Sequence, residues 1–130
     1  MMKKNIFIGC VFAMIAVILG AFGAHALKNL LIPERLATFE TGVRYQFYHA
    51  LALIFIGVWQ QNADATLRTA LGRVGVLFSI GIVLFSGSIY VLATRDLHGF
   101  SGVWVGALTP IGGLFFIAGW AYAAVLAWRN

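Results

Sequence analysis

Charge is what this sequence lacks most. Only 10% of its 130 residues are Asp, Glu, Lys or Arg, against roughly a quarter in a soluble domain, so a water-facing globular surface is excluded. Hydrophilic stretches long enough to fold by themselves are missing too, and residues 1–130 read as a single transmembrane domain. Cysteine is down to one residue, Cys10, which rules out an intrachain disulfide scaffold. Inside an apolar run it reads as a small buried hydrophobe. Proline occurs only at positions 33 and 110, so little interrupts long helices.

What is present is apolar: 62% of the residues are hydrophobic and the mean hydropathy is +0.92. A helix crossing about 30 Å of hydrocarbon needs about 20 residues at about 1.5 Å each. Four stretches answer to that length, at about residues 6–27, 40–59, 70–92 and 103–128. The expected fold is all-α, an integral membrane four-helix transmembrane bundle. The second span is the shortest and reaches full length only if the polar residues 39–48 form its interfacial start. Pro33 suits the first turn of a helix there. Residues 64–73 read as a connecting loop or partial helix, and Arg95, Asp96, His98 and Gly99 as a tight outer turn. Pro110, inside the last span, removes one backbone donor and disturbs the Gly106 carbonyl, a loss that Thr109 and neighbouring helices can repair.

Lys3, Lys4 and the triplet Ala24-His25-Ala26 around the first run resemble a secretory signal. The run is longer than a signal's apolar region and right for a span, so an uncleaved first helix is expected. The formal net charge of +5 comes from basic residues scattered among span ends and short loops. They read as anchors facing anionic lipid and not as a nucleic-acid surface. The expected partners are therefore membrane lipids, with a second copy or another membrane protein. Four spans put both termini on one side. Lys3, Lys4, Arg68, Arg73 and Arg129 share that side, against Lys28, Arg35, Arg44 and Arg95, and the basic excess places both termini in the cytoplasm.

Helices in lipid associate by close packing over small residues. The first span carries such a stripe at Gly9, Ala13, Ala16, Gly20 and Ala24; the third at Gly75, Ser79 and Ser86; the fourth at Gly102, Gly106 and Gly113. Polar residues gather at one depth. Gly20, Gly23 and His25 fall late in span one, Glu40, Arg44, Gln46 and His49 early in span two, Ser86, Ser88 and Tyr90 late in span three, and Thr109 and Pro110 early in span four. Because consecutive spans alternate in direction, all four groups land in the half of the membrane away from the termini. Glu40 and Arg44 are one turn apart, where a carboxylate and a guanidinium can neutralise each other, and Tyr45 and His49 share that spacing. Two readings stand: the groups satisfy one another and anchor a short helix, or they line a polar pocket.

His25 and His49 can approach across the first hairpin, which makes a metal or haem site conceivable, but His25, His49 and His98 show no helical ligand pairing and no cysteine partner. No metal or other cofactor is expected. Gly20-Ala-Phe-Gly23 and Gly112-Gly113 lie inside apolar helices and not after strands, so they are no nucleotide loops, and Ser86-Gly87-Ser88 is no nucleophile elbow. No enzyme is expected.

Leu19-Gly-Ala-Phe-Gly-Ala-His25, Glu40-Thr-Gly-Val-Arg-Tyr-Gln-Phe-Tyr-His49, Leu84-Phe-Ser-Gly-Ser-Ile-Tyr90 and Thr109-Pro-Ile-Gly-Gly113 stand in this order along the chain. With these motifs the sequence resembles the YgdD/YwdK-like family of small bacterial inner-membrane proteins, over about residues 19–127. The resemblance implies a four-span plasma-membrane protein, related to a small eukaryotic transmembrane family and without established biochemical activity. Its signature residues carry over to Gly20, Gly23, His25, Glu40, Arg44, Tyr45, Gln46, His49, Ser86, Gly87, Tyr90, Thr109, Pro110 and Gly113. The expected role is a structural or assembly component supporting membrane integrity. The alternative is a carrier or pore for a small polar solute, ion or proton, with Glu40, Arg44 and His49 lining its site.

Overall fold

The computed structural model describes residues 3–100 and 102–130. Among the described residues there are helices and connecting turns and no strand. Helix α1 is Lys4–Leu27, α2 is Pro33–Gln61, α3 is Ala65–Ala93, the one-turn α4 is Arg95–His98, and α5 is Val103–Arg129. Helices α1, α3 and α5, of 24, 29 and 27 residues, are each long and apolar enough to cross a membrane. The protein is therefore all-helical with three membrane-crossing helices by length and composition.

Two boundaries refine the expectation. Helix α2 begins at Pro33, because proline pre-sets the first-turn backbone and has no amide proton to waste there. Of the two readings of residues 64–73, loop or partial helix, the helical one holds from residue 65: Asp64 caps α3, its Oδ1 accepting the Leu67 amide at 2.8 Å. A capping aspartate ahead of Ala65-Thr-Leu-Arg is a start signal, outweighed in the sequence by the polarity around it. At the outer turn Gly99 adopts a left-handed conformation, φ 75°, and its amide closes α4 on the Arg95 carbonyl at 2.8 Å. A side chain there would be strained.

Neighbouring helices run antiparallel, as their contacts show. Along α1 and α2, Gly57 meets Ile6, Gly9 meets Ala50 and Ile54, and Gly20 meets Val43. Along α3 and α5, Gly119 meets Phe78, Gly81 meets Phe116, and Gly112 meets Phe85. Helices α2 and α3 form the central pair; α1 packs along α2, α5 along α3, and the two outer helices share no extended contact. Leu53, Ile56, Leu71, Val74 and Phe78 are fully buried between them.

The small-residue stripe of α1 works as expected, with Gly9 and Ala16 buried. In α5 it does not. A Cβ at Gly106 would meet nothing within 4 Å, one at Gly113 only the Phe85 ring at 4.0 Å, and one at Gly102 mainly its own neighbour Trp104. The residues that admit α3 are instead Gly112 and Gly119, one face further round. Gly87 likewise faces open space. Cys10 is exposed on α1 and not buried, since the face it shares is turned away from α2.

Overpacking a tight helix contact costs about 1–3 kcal/mol. Gly112→Val is therefore expected to lower the melting temperature of the detergent-solubilised protein, because its side chain would enter the Phe85 backbone. Gly87→Ala is expected to leave it unchanged, and a scan of thermal unfolding by tryptophan fluorescence distinguishes the two.

Candidate functional site

Polar side chains buried among apolar ones need protein partners, because an unsatisfied group there costs several kcal/mol. Helix α2 supplies three of them on its inner faces: Gln46, His49 and Gln60, all buried. The first two organise a network in the half of the protein that holds the sequence motifs.

Gln46 bridges three helices. Its Nε2 donates to the Phe12 carbonyl of α1 at 2.8 Å, and its Oε1 accepts from the Tyr90 hydroxyl of α3 at 2.6 Å. One turn away, the Ser86 hydroxyl donates to the Gly42 carbonyl at 2.7 Å. Gly42 permits this, because a Cβ there would meet Ile89 and Tyr90 at 2.9 Å. The link from α3 to α5 is made by Ser88 and Thr109, whose hydroxyls bond each other, while Ser88 also reaches the Phe85 carbonyl at 3.0 Å. Thr109 thus sits beside Pro110 and ties that turn of α5 to α3.

His49 closes the network on its other side. Its Nδ1 lies 2.8 Å from the Tyr45 carbonyl, which can only accept, so Nδ1 carries the proton. Its Nε2 accepts the indole N–H of Trp120 at 2.9 Å. The imidazole stacks on Phe116 with ring centroids 3.6 Å apart and meets the Phe78 edge at 5.4 Å. Both nitrogens are thereby committed with the ring neutral. No buried side-chain nitrogen or oxygen among the described residues lacks a partner.

The motif residues divide sharply. Gln46, His49, Ser86, Tyr90 and Thr109 are drawn into the network. Tyr45 is 40% exposed, contributing its carbonyl to His49 and its ring to Phe85 at 4.8 Å. Glu40, Arg44 and His25 are exposed. Arg44 does not pair with Glu40; its Nη2 donates to the Thr41 hydroxyl at 3.1 Å, three residues back. The ion pair found among the described residues is Arg35 with Asp96 at 3.3 Å, which ties α2 to the outer turn. His25 is exposed while His49 is buried against α5, and no group of three His, Cys, Asp or Glu side chains among the described residues could hold a metal. His98 is used locally, its Nε2 facing the Val91 carbonyl at 3.1 Å and its Nδ1 accepting the Phe100 amide at 2.9 Å.

A second buried polar group, at the end that holds the termini, escaped the sequence reading. Asn5 donates to Gln60 Oε1 at 3.0 Å, Gln60 Nε2 donates to the Arg68 carbonyl at 2.9 Å, and Arg68 returns bonds to the Gln60 and Ala63 carbonyls at 3.3 and 2.8 Å. Gln60 looks in sequence like part of an interfacial Trp-Gln-Gln-Asn boundary. The available signal was depth, since Asn5 and Gln60 stand at matching heights on antiparallel helices. Trp120 was missed for a related reason: its indole N–H, deep in an apolar run, needed an acceptor.

The network occupies the same positions that carried the family resemblance, and a profile of a protein family of unknown function, DUF423, matches residues 19–113. The chain belongs to the DUF423 family. It is 44% identical over 119 residues to a UPF0382 membrane protein of Staphylococcus saprophyticus, covering 92% of both chains. It is 40% identical over 128 residues to the UPF0382 membrane protein YwdK of Bacillus subtilis, covering 97% of both. The UPF0382 inner membrane protein YgdD of Escherichia coli K12 is 38% identical over 115 residues, which are 88% of this chain and 82% of that one. The resemblance read from the four motifs is thus borne out, and this DUF423 member is a membrane protein like its relatives. No solved structure matches it.

Interhelical hydrogen bonds in membranes contribute about 0.6 kcal/mol on average and up to about 1.7. Tyr90→Phe is expected to lose an amount in that range, and Gln46→Leu more, because Gln46 serves two helices. In a double-mutant cycle followed by denaturant unfolding in micelles, the pair should lose less than the sum of the single changes. Strict additivity would mean the Gln46–Tyr90 bond carries no coupling.

Proposed function

We propose that this DUF423 protein is a non-enzymatic component of the bacterial plasma membrane, spanning it four times with both termini in the cytoplasm, and supporting membrane integrity as a structural or assembly element. The single observation that carries the reading is the closure of the motif network. Gln46, His49, Ser86, Ser88, Tyr90 and Thr109 use their polar atoms on one another, on backbone carbonyls and, for His49 Nε2, on the Trp120 indole N–H. A carrier needs groups free to exchange partners, whereas the neutral His49 has both nitrogens committed, and Glu40 and Arg44 stand on the exposed side of α2.

The fourth crossing rests on α2. Helix α1 ends at the far side, and α3 starts beside Asn5, at the near side; a 29-residue helix joining those two ends supports a fourth crossing. Its mean hydropathy understates it, because three of the buried polar residues of the protein are on its inward faces. For orientation, Lys3, Lys4, Arg68, Arg73 and Arg129 mark the terminal side.

Topology is tested with Cys10 replaced by alanine and single cysteines introduced at Asn29, Asn62 or Asn130. An impermeant maleimide added to intact cells should label position 29 and spare 62 and 130; labelling of 62 together with 29 would remove α2 as a crossing. The role is tested in a deletion strain, where a membrane-impermeant dye should enter faster than in the parent, and His49→Ala should fail to restore the barrier. Solute flux in proteoliposomes that disappears with Arg44→Ala or His49→Ala would instead favour the carrier.

A further inference from the structure

The terminal end of the protein holds a cleft of about 580 Å³ that the motif network does not touch. One wall is the start of α1; the other is one stripe of α3, with positions 68, 69, 72, 75, 76, 79 and 80 on a single face. The cleft exists because α1 and α3 share no extended contact and because Gly72 and Gly75 remove two side chains from the stripe. Gly75 is filled by Asn5, but a Cβ at Gly72 would meet only Gln60 Nε2 at 3.5 Å.

Its chemistry is graded with depth. At the mouth stand Lys4, Arg68 and the Thr69 hydroxyl; deeper, the walls are Ile8, Val76 and Ile80. No acidic residue lines the cleft. Arg68 is held in place by two backbone carbonyls, through Nε and Nη2, and no carboxylate pairs with it or with Lys4 among the described residues. Two cations without counter-ions, fixed above an apolar slot in a helix pair that crosses the membrane, match a phosphate oxyanion attached to a hydrocarbon chain.

We propose that this cleft binds an anionic phospholipid, with Lys4 and Arg68 on the headgroup phosphate and an acyl chain along Ile8, Val76 and Ile80. The inference needs only the crossings of α1 and α3, and is independent of the role argued above. Helix α3 supplies the guanidinium as a fixed donor, while the exposed Lys4 adjusts to the phosphate. A zwitterionic lipid offers the same phosphate but brings an ammonium to two cations, so the site discriminates by net charge.

The test uses the full-length protein in nanodiscs containing phosphatidylethanolamine and phosphatidylglycerol, with retained lipids counted by native mass spectrometry. Wild type should retain phosphatidylglycerol in preference, and Lys4→Gln and Arg68→Gln should each weaken that retention about five-fold. Arg68 also holds the α2–α3 turn, so Lys4→Gln, at an exposed position, carries the decision should Arg68→Gln fail to fold. Lys28→Gln, a basic residue at the opposite end, should behave as wild type. Equal retention of the two lipids by wild type, no effect of Lys4→Gln, or an equal loss in Lys28→Gln would each overturn the proposal. In discs of phosphatidylethanolamine alone, inorganic phosphate should leave the melting temperature unchanged; a rise matching that given by phosphatidylglycerol would assign the site to a soluble phosphate and remove the lipid.

Discussion

The absence of water from the hydrocarbon layer governs this structure. A side chain that can hydrogen-bond, once placed there, must find its partner in the protein. Helix α2 buries three side chains that hydrogen-bond, and its three neighbours answer them: Gln46 bonds to α1 and α3, His49 to α5, and Gln60 to α1 and the start of α3. Rotating α2 would strand all three at once. Close packing over glycine sets the distance between helices, but the polar residues of α2 select its rotation and register, since small-residue stripes can slide by a turn and remain smooth.

Backbone irregularity is concentrated where these bonds are made. The π-helical turns at Ile18–Gly23 and Ile82–Ser86 lie on either side of α2, and Pro110 interrupts the amide ladder of α5 beside the Ser88–Thr109 bond. A π turn shifts the face that a helix presents by adding a residue. In α3 this change of phase falls between Phe78, which packs against His49 and Gly119, and Ser86, which reaches Gly42. One helix can therefore serve α5 with its phenylalanines and α2 with its hydroxyls.

These particulars explain how far the sequence alone could be read. The all-helical class, the approximate helix limits and the common depth of Gln46, Ser86, Tyr90 and Thr109 follow from hydropathy and alternating direction, which need no knowledge of rotation. Which glycine of α5 touches α3 depends on rotation, so Gly112 and Gly119 could not be told from Gly106 and Gly113. The spacing of Glu40 and Arg44 permits a bond, but spacing on an exposed face carries little energy, and Arg44 turns to Thr41 instead. The depth of His49 is legible in sequence, but its burial and its acceptor role become visible only with Trp120, which is 71 positions away.

The division among the motif residues bears on where the activity of the family resides. Gln46, His49, Ser86, Tyr90 and Thr109 are accounted for by the fold, since each makes a hydrogen bond that joins one helix to another. Glu40, Arg44 and His25 satisfy no buried group: all three are exposed, and Arg44 bonds only within its own helix. Charged groups near a membrane span carry a cost that the fold does not offset here. Packing therefore explains the network residues of the signature and leaves Glu40, Arg44 and His25 facing outward, on α1 and α2 near their shared turn. That surface is distinct from the Lys4 and Arg68 cleft at the terminal end, and it is the part of the signature that the closed interior leaves unexplained.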